Sequence, residues 1–359
     1  MYDAVIIGGG PAGIAAAITA KKRGKNVIIL ERNDRIGKKI LLAGNGKCNI
    51  NNVSVSVNNY HGDVSKYLNK CDVDAFFKDI GLLTRIIDNR VYPYSESGKT
   101  VLNVFRKQLE KTDIITDYSV KSVIKKDGFF VINSDIKAKK VVVCTGSNAT
   151  VGYDSYDILS SFGHKIDPIY PALVPLKTDT KYIKTLSGVR AKCQVKLFVD
   201  GEETFCEEGE VQFKSDGIGG IVILNASRFV EAKKDNVIAI DFLPDMSVEE
   251  VEKYLLDYGM DGAVLRVVGE AVEKQSEDRG VSLAESIKSF LVTGVSLSEM
   301  KYAQVARGGA ALDEFDDNLQ SDFVDGLYAC GEVLDVDGEC GGYNMHWAFL
   351  SGIIVGENI

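Results

Sequence analysis

Unbroken apolar runs and strict alternation divide this chain into regions. "DAVIIG" (3–8), "NVIILE" (26–31) and "KVVVCTG" (140–146) are continuous apolar runs bounded by glycine or a carboxylate. That pattern predicts strands buried on both faces, as in a parallel sheet. Between the first two, Pro11 fits a helix's first turn, Ala12 to Lys22 is helix-forming, and Gly24 is a natural stop. Alternation governs "SVKSVIKKDGFFVINS" (119–134), which predicts a hairpin turning at Asp127-Gly128 and a sheet covering one face of the first domain. After Pro168, Pro171 and Pro175, which mark a crossing between domains, alternating runs return in "AKCQVKLFVDGEETF", "GEVQFKS" and "VIAIDFL". These predict a small barrel or open sheet with a hairpin at Asp200-Gly201. From Ser247 the period changes to helical, and Ser247 with Glu250 spells a capping box.

The expected fold class is therefore α/β. A Rossmann-like nucleotide-binding region comes first, followed by a β-rich, barrel-like region and a helical one.

The first strand, turn, helix and strand enclose "GGGPAG". Gly8 allows a tight turn, Gly10 lets backbone approach a pyrophosphate, and Gly13 lets the helix pack on the strand. Pro11 and Ala12 open a helix whose N-terminus faces the phosphates. Glu31 ends the second strand where an acid takes a ribose hydroxyl and disfavours a 2′-phosphate, leaving NAD or FAD. No second βαβ unit follows. A basic stretch containing Arg32, Lys38 and Lys39 leads instead into Gly44, Asn45, Gly46, Cys48 and Asn49, whose backbone and amide donors suit an isoalloxazine ring. "SDGIGGIVILNAS" (215–227) lacks the spacing of a second nucleotide site and predicts a strand–turn–helix near the flavin cleft.

Composition adds mainly exclusions. The 359 residues carry 42 basic and 51 acidic side chains, a net charge of −9, which disfavours a nucleic-acid partner. Seven scattered cysteines without C-x-x-C, and three histidines without ligand spacing, give zinc and dithiol chemistry no support. No apolar run approaches the ~18 residues needed to span a bilayer, and no leader pattern opens the chain, so a cytoplasmic location is expected and no membrane partner.

Far along the chain, Thr145-Gly146 follows the third apolar strand. "GLYACGE" places Gly331 and Glu332 where a ribityl chain or phosphate would pass. Asp337 then precedes Gly341, Gly342, Tyr343 and Asn344, which open a final helix whose free N–H groups would face a ring gaining negative charge. With "GKKILLAGNGKCN", "RVYP" (90–93), "PALVPL" (171–176) and "LSGV" (186–189), these segments resemble the two-dinucleotide-binding-fold flavoproteins that include bacterial aminoacetone oxidases and gut bacterial bile-acid reductases. The resemblance runs from residue 5 to near 352 and implies bound FAD in a discontinuous Rossmann-like domain (1–167 and 308–359), interrupted by an inserted β-rich, barrel-like substrate domain (168–246 and 291–307) and a helical subdomain (247–290). This chain departs from it at Asn45 and Lys47, where the family's loop usually has glycine and arginine.

The expected function is FAD-dependent oxidoreduction, with hydride passing through flavin between an organic small molecule and NAD(P)H or oxygen. Any NAD(P)H would bind transiently at the same cleft. Catalytic candidates are Cys48, in the flavin loop; Arg307, suited to a substrate carboxylate; and His346, suited to proton transfer. The rivals are a flavin-dependent RNA-modifying enzyme and a non-catalytic flavin-binding interaction or sensor protein. Oligomeric state is left open.

Overall fold

The computed structural model describes residues 1–149 and 156–359; residues 150–155 and the side chain of Asn45 lie outside the described residues. The chain divides into two compact units, Met1–Tyr170 with Val305–Ile359, and Pro171–Gln304.

The first unit is built on a seven-stranded sheet. Its strands are β1 (Tyr2–Ile7), β2 (Val27–Leu30), β3 (Asp113–Ile115), β4 (Val123–Lys126), β5 (Phe129–Ile132), β6 (Ile136–Val143) and β7 (Leu327–Ala329). β3, β2, β1 and β6 lie side by side and parallel. All four residues of β2 are buried, as are Val141, Val142 and Val143, which is why the sequence shows no alternation here. The outer edge of β6 is shared: Ile136–Ala138 pairs antiparallel with β5, and Val141–Val143 pairs parallel with β7. The β4–β5 hairpin thus extends the sheet, where the sequence pattern suggested a cover over one face. β6 is eight residues long and leaves edge N–H and C=O groups that the hairpin pairs. Its turn residues Asp127 and Gly128 have φ of 52° and 82°, as a type I′ turn requires.

Helix α1 (Pro11–Lys22) follows β1, and the last helix, Tyr343–Asn358, packs along it. Small residues permit the approach. A Cβ on Gly352 would lie 2.3 Å from the Ala12 carbonyl oxygen, and one on Gly356 would lie 2.7 Å from that of Ala16. Because residue 352 meets 12 and 356 meets 16, the two helices run in the same sense. The last helix begins about eight residues earlier on that register, so its start projects roughly 12 Å beyond that of α1.

The second unit is an open antiparallel sheet of seven strands, in the order Phe290–Val292, Asn236–Asp241, Arg190–Val199, Glu202–Lys214, Gly217–Gly219, Leu176–Lys177 and Ser296–Leu297. Asp200 and Gly201 turn its long hairpin with φ of 51° and 87°. Helices Val248–Tyr258, Arg266–Arg279 and Leu283–Lys288 bury Val251, Val272 and Ile287 in the same core as strand residues Val195, Leu197 and Ile240. Ser247 Oγ accepts from Glu250 N, and the Glu250 carboxylate accepts from Ser247 N, closing the capping box. Gly217–Gly219 and helix Ile221–Ala226 form the strand–turn–helix within this unit.

Candidate functional site

In an open parallel sheet, ligands bind beyond the carboxyl ends of strands where the order reverses. Here the reversal falls between β1 and β6. The carboxyl ends of β1, β2, β6 and β7 are followed by Gly8, by Glu31, by Thr145-Gly146 and by Gly331-Glu332. Four segments remote in sequence therefore open onto one edge.

The glycines of the first turn have distinct surroundings. Gly8 has φ +114°, and a Cβ there would sit 2.3 Å from the Cys144 carbonyl oxygen. A Cβ on Gly13 would lie 2.0 Å from the Gly8 carbonyl oxygen and 2.7 Å from Cys144 Sγ. At Gly10 a Cβ would meet nothing within 4 Å. Gly10 caps α1 without a side-chain hydrogen bond, and Pro11 and Ala12 follow it. The protein's own packing thus requires Gly8 and Gly13, while the backbone at Gly10 is open to whatever occupies the helix start.

Glu31 is 7% exposed. One of its oxygens accepts from Gly9 N at 2.8 Å, and the other accepts from Asn33 N at 2.8 Å and Asn33 Nδ2 at 2.6 Å. Asn33, two residues beyond the acid, was not singled out by the sequence reading, although a short amide beside a strand-ending acid is a local signal. Lys38 bonds Asp34 at 2.7 Å on the surface, and Arg32 is half-buried.

Lys39 goes elsewhere. Its Nζ lies 2.6 Å from Glu332 Oε2, while Glu332 Oε1 accepts from Ser147 Oγ at 2.6 Å and Ala306 N at 3.1 Å. Gly331, with φ +77°, donates its N–H to Ser351 Oγ, and its carbonyl accepts from Trp347 Nε1. Gly146 also has positive φ, and Thr145 beside it is half-buried. Ser147 is the member of this knot that sequence missed, since a lone serine after a strand carries no spacing signal.

The third group joins the loop after Lys39 to the last helix. Gly44, Gly46 and Cys48 all have positive φ. Cys48 is fully buried, which pushes its thiol up to about 12 and keeps it protonated at neutral pH. Native protein at pH 8 is therefore expected to lose exposed Cys206 to iodoacetamide while Cys48 survives, as peptide mass mapping would show. Rapid labelling of Cys48 would contradict its burial.

Asn49 is buried with no partner for its Oδ1. A Cβ on Gly342, the N-cap of the last helix with φ +105°, would lie 2.6 Å from the Asn51 carbonyl oxygen and 2.7 Å from Asn49 Oδ1. The adjoining Gly341 carbonyl accepts from Asn52 Nδ2 at 2.9 Å. No side chain caps this helix start. Asn344 is engaged locally, its amide bonding both Gly338 N and Gly338 O at 2.8 Å. Tyr343 is buried, and Asp337 is completely so.

His346, one turn into that helix, places Nδ1 2.6 Å from Asn51 Oδ1. Burial depresses it to about 4, so it is neutral at physiological pH. Arg307 ends the short strand Val305–Arg307 and is half-buried. Of the three catalytic candidates, Cys48 and His346 lie in the same loop–helix knot, where neither titrates near pH 7.

A family model described as the HI0933-like protein Rossmann domain matches residues 2–358. The 3-dehydro-bile acid delta(4,6)-reductase of Clostridium scindens is 32% identical, covering 98% of this chain and 97% of that protein. The ribosomal RNA dihydrouridine synthase of Haemophilus influenzae is 25% identical, covering 97% and 96% respectively. Among solved structures, the 3-ketosteroid delta1-dehydrogenase of Sterolibacterium denitrificans, in complex with 1,4-androstadiene-3,17-dione, shares the fold, with a TM-score of 0.52 at 10% identity and 99% coverage of both chains. Among the described residues, no helix is long and apolar enough to cross a membrane. The chain belongs to the HI0933-like Rossmann-domain family and is a flavoprotein oxidoreductase.

Proposed function

We propose that this chain is an FAD-dependent reductase that saturates a carbon–carbon double bond conjugated to a carbonyl in an organic small molecule, drawing electrons from NAD(P)H. The observation that carries the reading is the end-to-end likeness to a reductase named for 3-dehydro, delta(4,6) bile acids. A second relative is named for making dihydrouridine, also the saturation of a double bond beside a carbonyl.

The residues at the sheet edge fit FAD chemically. Two helix starts lack side-chain caps, a buried carboxylate ends β2, and buried acceptors at Asn49 and His346 have no protein donor. Gly8, Gly10, Pro11, Ala12 and Gly13 would present α1's N–H groups to the pyrophosphate. Glu31, which accepts three hydrogen bonds within the protein and keeps one acceptor position on Oε2, would take a ribose hydroxyl, with Arg32 and Lys38 on the rim. Thr145, Gly146, Gly331 and Glu332, steadied by Lys39, would line the middle of the cofactor. Gly44, Asn45, Gly46, Cys48 and Asn49 would meet the ring from one side, and Asp337 with Gly341 to Asn344 from the other. Bound FAD supplies the two-electron hydride carrier that no side chain provides. The protein orients the ring, sets positive helix ends against charge that grows on reduction, and excludes water. Cys48 and His346 serve there as fixed neutral groups, and Arg307 remains the candidate to hold a substrate carboxylate.

Anaerobic spectroscopy tests this. The yellow protein should bleach with NADH or NADPH, and its colour should return on adding a 3-oxo-Δ4 steroid acid but not the saturated analogue. A colourless protein that takes up no FAD would defeat the cofactor assignment. Reoxidation by oxygen alone would defeat the reductase reading in favour of an oxidase. Reoxidation by ribosomal RNA alone would favour the RNA-modifying alternative, against which the net charge of −9 counts.

A further inference from the structure

The segment "RVYP" (90–93) is the middle strand of a small sheet, and the function proposed above leaves its side chains without a role. Strands Asn51–Asn52, Arg90–Pro93 and Thr84–Ile87 pair antiparallel in that order. Residues directly opposed in such a pair share a face, and neighbours along one strand alternate. Val91 and Pro93 therefore point to one side and are buried, while Arg90 and Tyr92 point to the other and are half-buried. Asn52, opposite Arg90, belongs to that second face and donates from Nδ2 to the Gly341 carbonyl at 2.9 Å. Tyr92 Cε1 lies 3.9 Å from where a Cβ on Gly44 would be. The face is thus bracketed by the loop at 44–49 and by Gly341, the two segments assigned to the cofactor ring.

The cations here differ in what they hold. Arg85, opposite Tyr92, is paired with Glu96 and lies over the Tyr94 ring, and Lys47 reaches the same carboxylate at 3.1 Å. Arg90 has no such partner: among the described residues nothing takes its guanidinium, and nothing takes the Tyr92 hydroxyl. Asp88, the acid nearest to Arg90 in sequence, is exposed at the hairpin turn. Ile87, opposite Arg90, adds an apolar side chain that is 38% exposed. A guanidinium that can only donate and a phenol hydroxyl free to donate therefore stand two residues apart, about 7 Å along the strand, beside apolar surface. That set suits an electron-rich oxygen on an otherwise apolar molecule.

We infer that Arg90 and Tyr92 together hold the substrate's carbonyl oxygen, the one conjugated to the double bond being saturated. Hydride reaching the carbon β to that carbonyl breaks the carbon–carbon π bond and moves its electron pair through to oxygen, leaving an enolate. Water then supplies the proton to the α-carbon, and NAD(P)H is the reductant. Negative charge on the oxygen grows as hydride arrives, so the two donors bind that state more tightly than the ketone. The assignment rests on the enone-reductase reading and goes beyond it by naming the residues that take the substrate oxygen.

Reduction with dithionite bypasses the electron donor and isolates this step. Reduced anaerobic protein mixed with a saturating 3-oxo-Δ4 steroid acid should reoxidise about a hundredfold more slowly as Arg90→Gln and about tenfold more slowly as Tyr92→Phe, with flavin content unchanged. Arg90→Lys, which keeps the charge without the fork, should recover part of the rate. The methyl ester of the steroid acid should show the same losses. In the oxidised protein, 4-nitrophenolate, a flat conjugated oxyanion, should bind about tenfold more weakly to Arg90→Gln than to wild type, read from its own colour. Should Arg90→Gln fail to fold, Arg90→Lys and Tyr92→Phe still decide. Wild-type reoxidation rates in the variants, or unaltered 4-nitrophenolate binding, overturn the assignment alone. So does a loss confined to the half-saturating concentration of the free acid, which would make Arg90 a carboxylate anchor, and so does loss of flavin from a folded variant. A wild type that no enone reoxidises overturns the reductase reading and this assignment with it.

Discussion

Gly13→Ala is expected to abolish FAD uptake and to destabilise the first unit by about 3 kcal/mol, whereas Gly10→Ala should leave the apo-protein as stable as the wild type. The two glycines are three residues apart, and the contrast comes from what surrounds them. At position 13 the new methyl would sit 2.0 Å from the Gly8 carbonyl oxygen and 2.7 Å from Cys144 Sγ. The first obstacle is backbone and the second a buried side chain, so α1 would have to lift off β1, an overpacking cost at the upper end of the usual 1–3 kcal/mol. Lifting α1 also displaces the Gly8 turn, whose φ of +114° and own close approach to the Cys144 carbonyl leave no slack. At position 10 a methyl would touch nothing in the protein. Any loss of flavin affinity there reports on the ligand alone. Urea denaturation of both apo-variants, beside FAD titration, separates the two effects. Equal apo-stability of Gly13→Ala and wild type would show that the helix is not held where the structure places it.

The same contrast explains what could be read in advance. β1, α1 and β2 were legible because each carries its own local signal: unbroken apolar runs, a proline at the helix start, and glycines at fixed offsets. The hairpins at Asp127-Gly128 and Asp200-Gly201 were legible because both turn residues must adopt positive φ. The shared edge of β6 was not. Pairing Ile136–Ala138 with β5 and Val141–Val143 with β7 joins segments almost two hundred residues apart, and no periodicity records which strand lies next to which. The candidate site divides likewise. Gly8, Glu31 and Glu332 stand at strand ends that the sequence marks. Ser147 reaches Glu332, and Asn51 and Asp74 reach His346, through contacts that exist only once remote segments meet. His346 shows the same division, since its residue type suggested proton transfer while its burial, which holds it neutral at physiological pH, exists only in the folded chain.

That neutrality has a measurable cost at low pH. Burial holds the folded imidazole at about 4, against an ordinary value near 6.5 in the unfolded chain. Between those values the unfolded state binds a proton that the folded state refuses, so stability falls as pH drops from about 6.5 toward 4. Above 6.5 both states are neutral and the contribution is complete; below 4 both are protonated and it is gone. A shift of that size corresponds to about 3 kcal/mol at 1.36 kcal/mol per unit. Wild-type apo-protein should therefore lose more stability between pH 7 and 4.5 than His346→Gln, by roughly 2–3 kcal/mol in parallel urea denaturations. Carboxylates titrating in the same range are common to both proteins and cancel in the difference. Superimposable pH profiles would mean that His346 is hydrated or charged in the fold, and would remove the basis for treating it as a fixed neutral group.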